Sequence, residues 1–271
     1  MQIATWNVNS LKVRLPHLLT WLEANPVDVI CLQETKLTDE KFPGAEINAA
    51  GYQVAFSGQK TYNGVAILSR HPISDVQKNN PLFDDPQQRI LAATIEGVRI
   101  VCAYVPNGQA LDSDKFVYKM AWLAALREWL AAELERNPQL ALMGDYNIAP
   151  EDRDVHDPAE WVGCTHVSPQ ERAALDTLKA LGLQDAFRLF EQPEKSYSWW
   201  DYRMMGFRRN CGLRIDHILL SPMLAARCEA CIIDRDPRKW EQPSDHTPVV
   251  ATLLPPSSSA ASSASTGAEN R

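Results

Sequence analysis

Five stretches of the 271-residue sequence place polar side chains at the end of a short apolar run. They are Thr5-Trp6-Asn7-Val8-Asn9, Leu32-Gln33-Glu34-Thr35-Lys36, Ala103-Tyr104-Val105-Pro106-Asn107-Gly108, Met143-Gly144-Asp145-Tyr146-Asn147 and Pro243-Ser244-Asp245-His246-Thr247-Pro248. Asn7, Glu34, Asp145, Asn147 and Asp245 can offer only oxygen to a metal, and no cysteine is among them. Such a donor set suits Mg²⁺ or Mn²⁺, with water completing the coordination, whereas zinc would want more nitrogen or sulfur. A hard divalent cation held this way can neutralise a phosphate and activate water.

A sixth polar residue, Asp216, stands inside the apolar run from Cys211 to Leu220. Burying a lone carboxylate costs several kcal/mol unless a cation, metal or imidazole accompanies it. The neighbouring His217 would point to the opposite face of a strand and is excluded by that geometry. His246 is the better partner. A carboxylate beside it would hold one tautomer and favour the imidazolium. That cation could face a phosphate and stabilise the charge of its pentavalent transition state.

These residues need strand ends that converge. Residues 2–6 and 27–33 read as buried strands around a helix carrying Leu15, Leu18, Leu19 and Leu22, which Asn25-Pro26 ends. Further strands fall at 52–56, 64–69, 89–95 and 98–105, the last two joined by the turn Glu96-Gly97. The spacing of Phe116, Met120, Leu123, Leu126, Leu130 and Leu134 predicts a helix over 112–136, capped by Asp112 or Ser113 and stopped by Asn137-Pro138. A strand at 139–143, a helix at 170–181, a short helix near 184–190 and strands at 196–200, 214–221 and 247–253 complete the order. Strands outnumber helices, which favours a layered αβ sandwich over a doubly wound sheet. The catalytic domain would span 1–254, followed by a Ser/Ala-rich tail, 255–271, that has nothing to bury and is expected to be disordered.

A hydrophobic content of 45% suffices for a sizeable core. The net charge of −7 argues against broad non-specific polyanion binding, but a local basic rim can still hold phosphates. No apolar run reaches membrane-spanning length, and the N-terminus lacks the basic and apolar regions of a secretory signal, so a cytoplasmic protein without membrane association is expected. The six scattered cysteines fit free thiols in a reducing compartment. Cys228-Glu229-Ala230-Cys231 has no second pair with which to bind zinc.

The five stretches, together with Tyr62-Asn63-Gly64-Val65-Ala66-Ile67, Ser198-Trp199-Trp200-Asp201-Tyr202-Arg203 and Gly212-Leu213-Arg214-Ile215-Asp216, resemble the exonuclease III family. This is the branch of the endonuclease–exonuclease–phosphatase superfamily that includes the apurinic/apyrimidinic endonucleases. The resemblance implies a four-layer α/β sandwich, two mixed β-sheets packed face to face and flanked by helices. It implies Mg²⁺- or Mn²⁺-dependent phosphodiester hydrolysis on double-stranded DNA with abasic sites or 3′ ends, with no obligatory protein partner. Glu34 would be the main metal ligand, helped by Asn7 and Asp245. Asp145 would position or deprotonate the attacking water, Asn147 would orient the phosphate, and Tyr104 would hydrogen-bond a phosphate oxygen. His246, held by Asp216, would stabilise the developing charge.

For the substrate, Trp199 resembles the family's sugar-pocket aromatic, with Leu213 and Phe207 as further pocket candidates and Trp200 assigned to the core. Lys12, Arg14, Lys60, Arg203, Arg208 and Arg209 flank the motifs as a phosphate rim, with Tyr62 and Asn107 as further DNA contacts. His166 is a departure, since the resembling stretch commonly carries a small residue, often glycine, there. An imidazole at that point would obstruct DNA on the 5′ side of the target. Incision at internal abasic sites would then be weak, and 3′–5′ exonuclease and 3′-phosphatase action would dominate. The alternatives are a full abasic-site endonuclease, an inositol or lipid phosphate hydrolase sharing the same metal ligands, and a non-catalytic DNA-binding protein.

Overall fold

Short apolar runs build two six-stranded sheets in a computed structural model that describes residues 1–256. The strands are β1 Gln2–Asn7, β2 Val29–Gln33, β3 Gln53–Ser57, β4 Val65–Ser69, β5 Ser74–Lys78, β6 Ile90–Ile95, β7 Val98–Tyr104, β8 Leu140–Asp145, β9 Gln184–Asp185, β10 Trp199–Trp200, β11 Gly212–Leu213, β12 Asp216–Leu220, β13 Cys228–Ile233 and β14 Val249–Leu253. The helices are α1 Leu11–Ala24, α2 Gly44–Ala49, α3 Asp114–Arg136, α4 Pro169–Lys179, α5 Gly206–Arg209 and α6 Pro222–Ala225. One sheet runs β13-β14-β1-β2-β4-β3 and the other β5-β6-β7-β8-β12-β9, while β10 and β11 pair separately.

The central strands β2, β8 and β12 are buried at every position and mostly apolar because both faces of each sheet are covered. In β2, Val29 and Cys31 point into the seam between the sheets, against Leu91, Ile100, Cys102 and Met143. Ile30 and Leu32 point outward, against Leu18, Trp21 and Leu22 of α1. The outer face of the second sheet is covered by Trp122, Leu126, Trp129 and Leu130 of α3 and by Leu175 and Leu178 of α4. Helix, sheet, sheet and helix make the four layers expected from the sequence.

Register decides where the chemistry lies. β1 and β2 are parallel, with Asn7 opposite Gln33, and β7 and β8 are parallel, with Tyr104 opposite Asp145. β12 runs antiparallel to β8 and brings Asp216 opposite Asp145. The polar ends of four central strands and the start of a fifth therefore meet at one edge of the sandwich.

Several local expectations change. The polar, exposed edge strand β5 and the bulged edge strand β13 escape the apolar pattern. Residues 184–190 form two strand residues and a short 3₁₀ turn at Ala186–Leu189, not a helix. The strand expected at 196–200 shrinks to Trp199–Trp200. The strand expected at 214–221 starts only at Asp216, because Arg214 is fully buried and turns to pair with Asp154 at 2.7 Å and Asp185 at 2.8 Å. Apart from Pro255 and Pro256, the expected Ser/Ala-rich tail lies outside the described residues.

Gly144, directly before Asp145, has φ +157°, and a Cβ there would sit 1.8 Å from the carbonyl oxygen of Ala103. Backbone cannot yield as a side-chain end can. Gly144→Ala is therefore expected to cost about 2–4 kcal/mol, measured by urea denaturation, and to displace Asp145 in whatever fraction still folds.

Candidate active site

Asn7, at the end of β1, turns its amide nitrogen into the site. It donates to Glu34 Oε1 at 2.9 Å and to Asp145 Oδ2 at 2.8 Å. Its oxygen accepts the backbone N–H of Asn9 at 3.0 Å, within a turn where Asn9 and Ser10 both have positive φ. Glu34 itself stands at φ +52°, a conformation a non-glycine residue adopts at a cost. Lys36 Nζ lies 3.0 Å from Glu34 Oε2 and donates to Asn9 Oδ1 at 2.6 Å.

Asp145 is buried at the end of β8, and its Oδ1 accepts the backbone N–H of Asn147 at 2.9 Å. Burial raises its carboxyl pKa to about 7, with the nearby Asp216 adding to the rise and the His246 cation opposing it. His246 Nε2 lies 3.7 Å from Asp145 Oδ2, while its Nδ1 is 2.9 Å from Asp216 Oδ2. Asp216 Oδ2 also accepts the Ser198 hydroxyl at 2.6 Å. Burial works against a charge on His246, but the carboxylates of Asp216 and Asp145 outweigh it and lift the pKa to about 10. The Asp216 problem is thus solved by His246. His217 instead meets Arg214 and the carbonyl of Ile148, on the other side.

Glu34, Asp145 and His246 each bring one ligand-type atom within 4.8 Å of the others. Because Asp216 keeps His246 protonated, the carboxylate oxygens of Glu34 and Asp145 are the atoms left for a cation, and they fit a hard divalent ion. Of the other two expected ligands, Asp245 lines the same cleft and Asn7 hydrogen-bonds both carboxylates. Asn7 uses its oxygen on Asn9, and Asp245 uses its carboxylate on Trp199 Nε1 and Asn9 Nδ2, each at 2.9 Å.

A cleft of about 890 Å³ opens above these groups. Tyr104, Asn107, Asn147, Trp199 and His166 line it, as expected from the sequence. Burial, with Glu34 and Asp145 next, raises the Tyr104 pKa, so its hydroxyl stays a donor. The guanidinium of Arg89 lies 4.7 Å from the Tyr104 ring centre and holds it from behind. Trp200 is fully buried.

Two pocket expectations fail. Leu213 is fully buried behind its strand partner Trp199, and Phe207 packs edge-on against Trp200 at 5.0 Å. Ile215 takes the place in the cleft wall.

The basic rim also thins. Arg203 and Arg209 line the cleft, although Arg203 is paired with Asp201 at 2.6 Å. Arg14 spends its guanidinium on the carbonyls of Asn9, Gln242 and Pro243, pinning α1 to the loop before Ser244. Lys12, Lys60, Tyr62 and Arg208 are exposed and stand outside the cleft lining. Lys36, Trp161 and Ile215 are site residues that sequence reasoning passed over. The position of Lys36, two residues after Glu34, was a usable signal; Trp161 carried none.

His166 is half-buried, with its ring held in the cleft wall. It has φ +77°, which accounts for the fit of glycine at such a position. Its Nε2 is 3.0 Å from Asn147 Oδ1 and 3.2 Å from Asn107 Nδ2, and its Nδ1 is 3.0 Å from the Thr165 hydroxyl. Trp161 meets its ring edge-on at 5.8 Å. Burial, then the charge of Lys119, lowers the His166 pKa to about 4, so the ring is neutral.

With this geometry in place, similarity to known proteins decides the family. Residues 4–246 match the endonuclease/exonuclease/phosphatase family. The chain belongs to that family. Over 93% of its length, and 99% of the relative's, it is 37% identical to exodeoxyribonuclease III of Haemophilus influenzae. It superposes with a TM-score of 0.92 and 49% identity on a 3′ phosphatase from Neisseria solved with product DNA hairpin, covering 94% of this chain and 99% of that one. An AP endonuclease from Archaeoglobus fulgidus gives 0.90 and 39%, covering 93% and 99%. The resemblance of the sequence to exonuclease III, the two-sheet fold it implied and the nuclease class all hold for this member of the family. Among the described residues no helix is long and apolar enough to cross a membrane.

Proposed function

We propose that this exonuclease III-type nuclease hydrolyses phosphate esters at the 3′ ends of double-stranded DNA, using Mg²⁺ or Mn²⁺, and incises internal abasic sites weakly. The observation that carries the preference is His166, whose neutral ring is built into the cleft wall against Asn147 and Asn107. A strand continuing past the target would meet that ring, whereas a terminal nucleotide or 3′-phosphate would not.

The chain's own groups divide the work. Glu34 and Asp145 would hold the cation, with Asn7 fixing both carboxylates by hydrogen bonds and Asp245 fixing Trp199. A bound divalent cation supplies charge neutralisation at the phosphate and a more acidic water. Asp145, tied at both oxygens, aims or deprotonates the attacking water. His246, kept cationic by Asp216, faces the phosphate with Nε2 and offsets the charge that grows there. Tyr104 donates to a phosphate oxygen, and Asn147 and Asn107 close the opposite wall. Trp199 and Ile215 give the sugar an apolar face. Arg203 and Arg209 approach the DNA backbone at the cleft, with Lys12, Lys60, Tyr62 and Arg208 further out. The six free thiols agree with residence in the cytoplasm.

The test compares wild type with His166→Gly on three substrates: abasic duplex, a recessed 3′ end and a 3′-phosphate, each with Mg²⁺ and with Mn²⁺. Abasic incision is expected to rise by about tenfold or more, a barrier change of ~1.4 kcal/mol. Trimming of 3′ ends should stay within about threefold. Equal abasic incision by the two proteins would overturn the preference.

A further inference from the structure

Lys119 in α3 and Glu171 in α4 have fully buried side chains, 2.5 Å apart. Neither lines the cleft, and neither enters the chemistry above. Burying both charges is a poor route to stability, because apolar replacements of a buried ion pair are often neutral or stabilising. The use of the pair lies in its other hydrogen bonds. Lys119 Nζ donates to the backbone carbonyls of Asn147 at 2.7 Å and Asn107 at 3.2 Å. Glu171 Oε1 accepts the backbone N–H of His166 at 2.9 Å. Its Oε2 accepts the backbone N–H of Ser168 at 3.1 Å and completes the capping box that starts α4.

One ion pair thus grips the main chain of three residues whose side chains form one wall of the cleft. The carbonyl of His166 is held too, by the N–H of Ala149 at 2.7 Å. Both His166 and Asn147 are in left-handed backbone conformations, at φ +77° and +49°. Such conformations are uncommon for non-glycine residues and persist where surrounding bonds enforce them. Gly108 leaves room for the lysine stem, since a Cβ there would come within 3.1 Å of Lys119 Cδ.

We propose that Lys119 and Glu171 are positioning residues that lock Asn107, Asn147 and His166 into this wall, and through His166 set the preference for 3′ ends. The second half rests on the reading of His166 given above. Without the clamp, the 164–168 loop has no charge-assisted bond to the strand-end residues 107 and 147. The ring of His166 then leaves the path of a continuing strand.

A single substitution strands one buried charge, so the informative variant removes both: Lys119→Met/Glu171→Leu, which keeps the volume. Lys119→Met/Glu171→Gln serves as the conservative partner, because glutamine retains the acceptor for the His166 N–H. Two quantities are read on folded protein. The first is the His166 ring signal in the proton NMR spectrum, assigned by its loss in His166→Gly. It is expected to shift and broaden in the Met/Leu variant and to return toward the wild-type position in the Met/Gln variant. The second is the ratio of kcat/KM for abasic incision to that for 3′ trimming, from which any loss of folded fraction cancels. It should rise about tenfold in the Met/Leu variant, toward the value of His166→Gly. An unmoved ring signal overturns the positioning role. A moved signal with an unchanged ratio, where His166→Gly does change it, overturns the link to end preference. If His166→Gly leaves the ratio unchanged as well, the reading of His166 fails while the positioning role stands.

Discussion

Asp145→Asn is expected to lower kcat on a 3′-phosphate or recessed 3′ end by about 10²–10⁴-fold, the range for loss of a positioned acid–base group. DNA affinity should change little, because the residue is buried beneath the cleft rather than placed on its rim. The substitution keeps the shape and removes both the charge and one acceptor. Asn7 Nδ2 and the N–H of Asn147 lose an anionic partner, and the attacking water loses its aim. The pH profile sharpens the test. With Asp145 titrating near pH 7 and His246 near pH 10, activity requires the carboxylate ionised and the imidazole protonated. Wild type should therefore rise through pH 7 or below, since a bound cation pulls the carboxylate down, and fall toward pH 10. The acid limb should vanish in Asp145→Asn. Retention of both the rate and the acid limb would remove Asp145 from the reaction.

Asp216→Asn acts through its partner. The expected result is a kcat lower by about 10²–10⁴-fold with cation binding and overall fold preserved. The carboxylate is the main force raising His246, so its loss lets burial pull the imidazole toward neutrality. The basic limb of the pH profile should then move down from near pH 10, with Asp145 left as the main charge opposing the effect of burial. Stability follows the same sign. A histidine whose folded pKa exceeds 6.5 stabilises the fold fully below that pH, and the contribution is lost as pH rises through about 10. Wild type should therefore lose stability between those values, and Asp216→Asn should show a flatter curve in chemical denaturation. A variant that unfolds at neutral pH would make the pair chiefly structural. A folded variant with wild-type turnover would exclude His246 as the stabilising cation.

Both predictions concern residues that were legible from the amino-acid order. Asp216 in an apolar run demands a partner by electrostatics alone, and His246 was available. The strand ends that carry Asn7, Glu34, Tyr104 and Asp145 were readable because centrally buried strands are continuous apolar runs. The long helix α3 was readable from its spacing and its Ser113 cap. The edge strands β5 and β13 were not, since an edge need not be apolar, and two-residue strands such as β10 carry no period at all.

Side-chain type and period are local properties, and they determined the main strands and helices and the expected layer order, while the motifs carried the resemblance to the family and the residues proposed for the site. Which atom of a side chain meets which partner is settled by segments far apart in the chain, and only the tertiary structure decided it. Asn7 faces the site with nitrogen because the N–H of Asn9 takes its oxygen. Asp245 is drawn to Trp199, Arg14 to carbonyls 228 and 229 residues away, and Leu213 under Trp199. His166 looked like a lone departure until the fold put its backbone N–H on Glu171, which Lys119 holds from a second helix that no local pattern would join to the first.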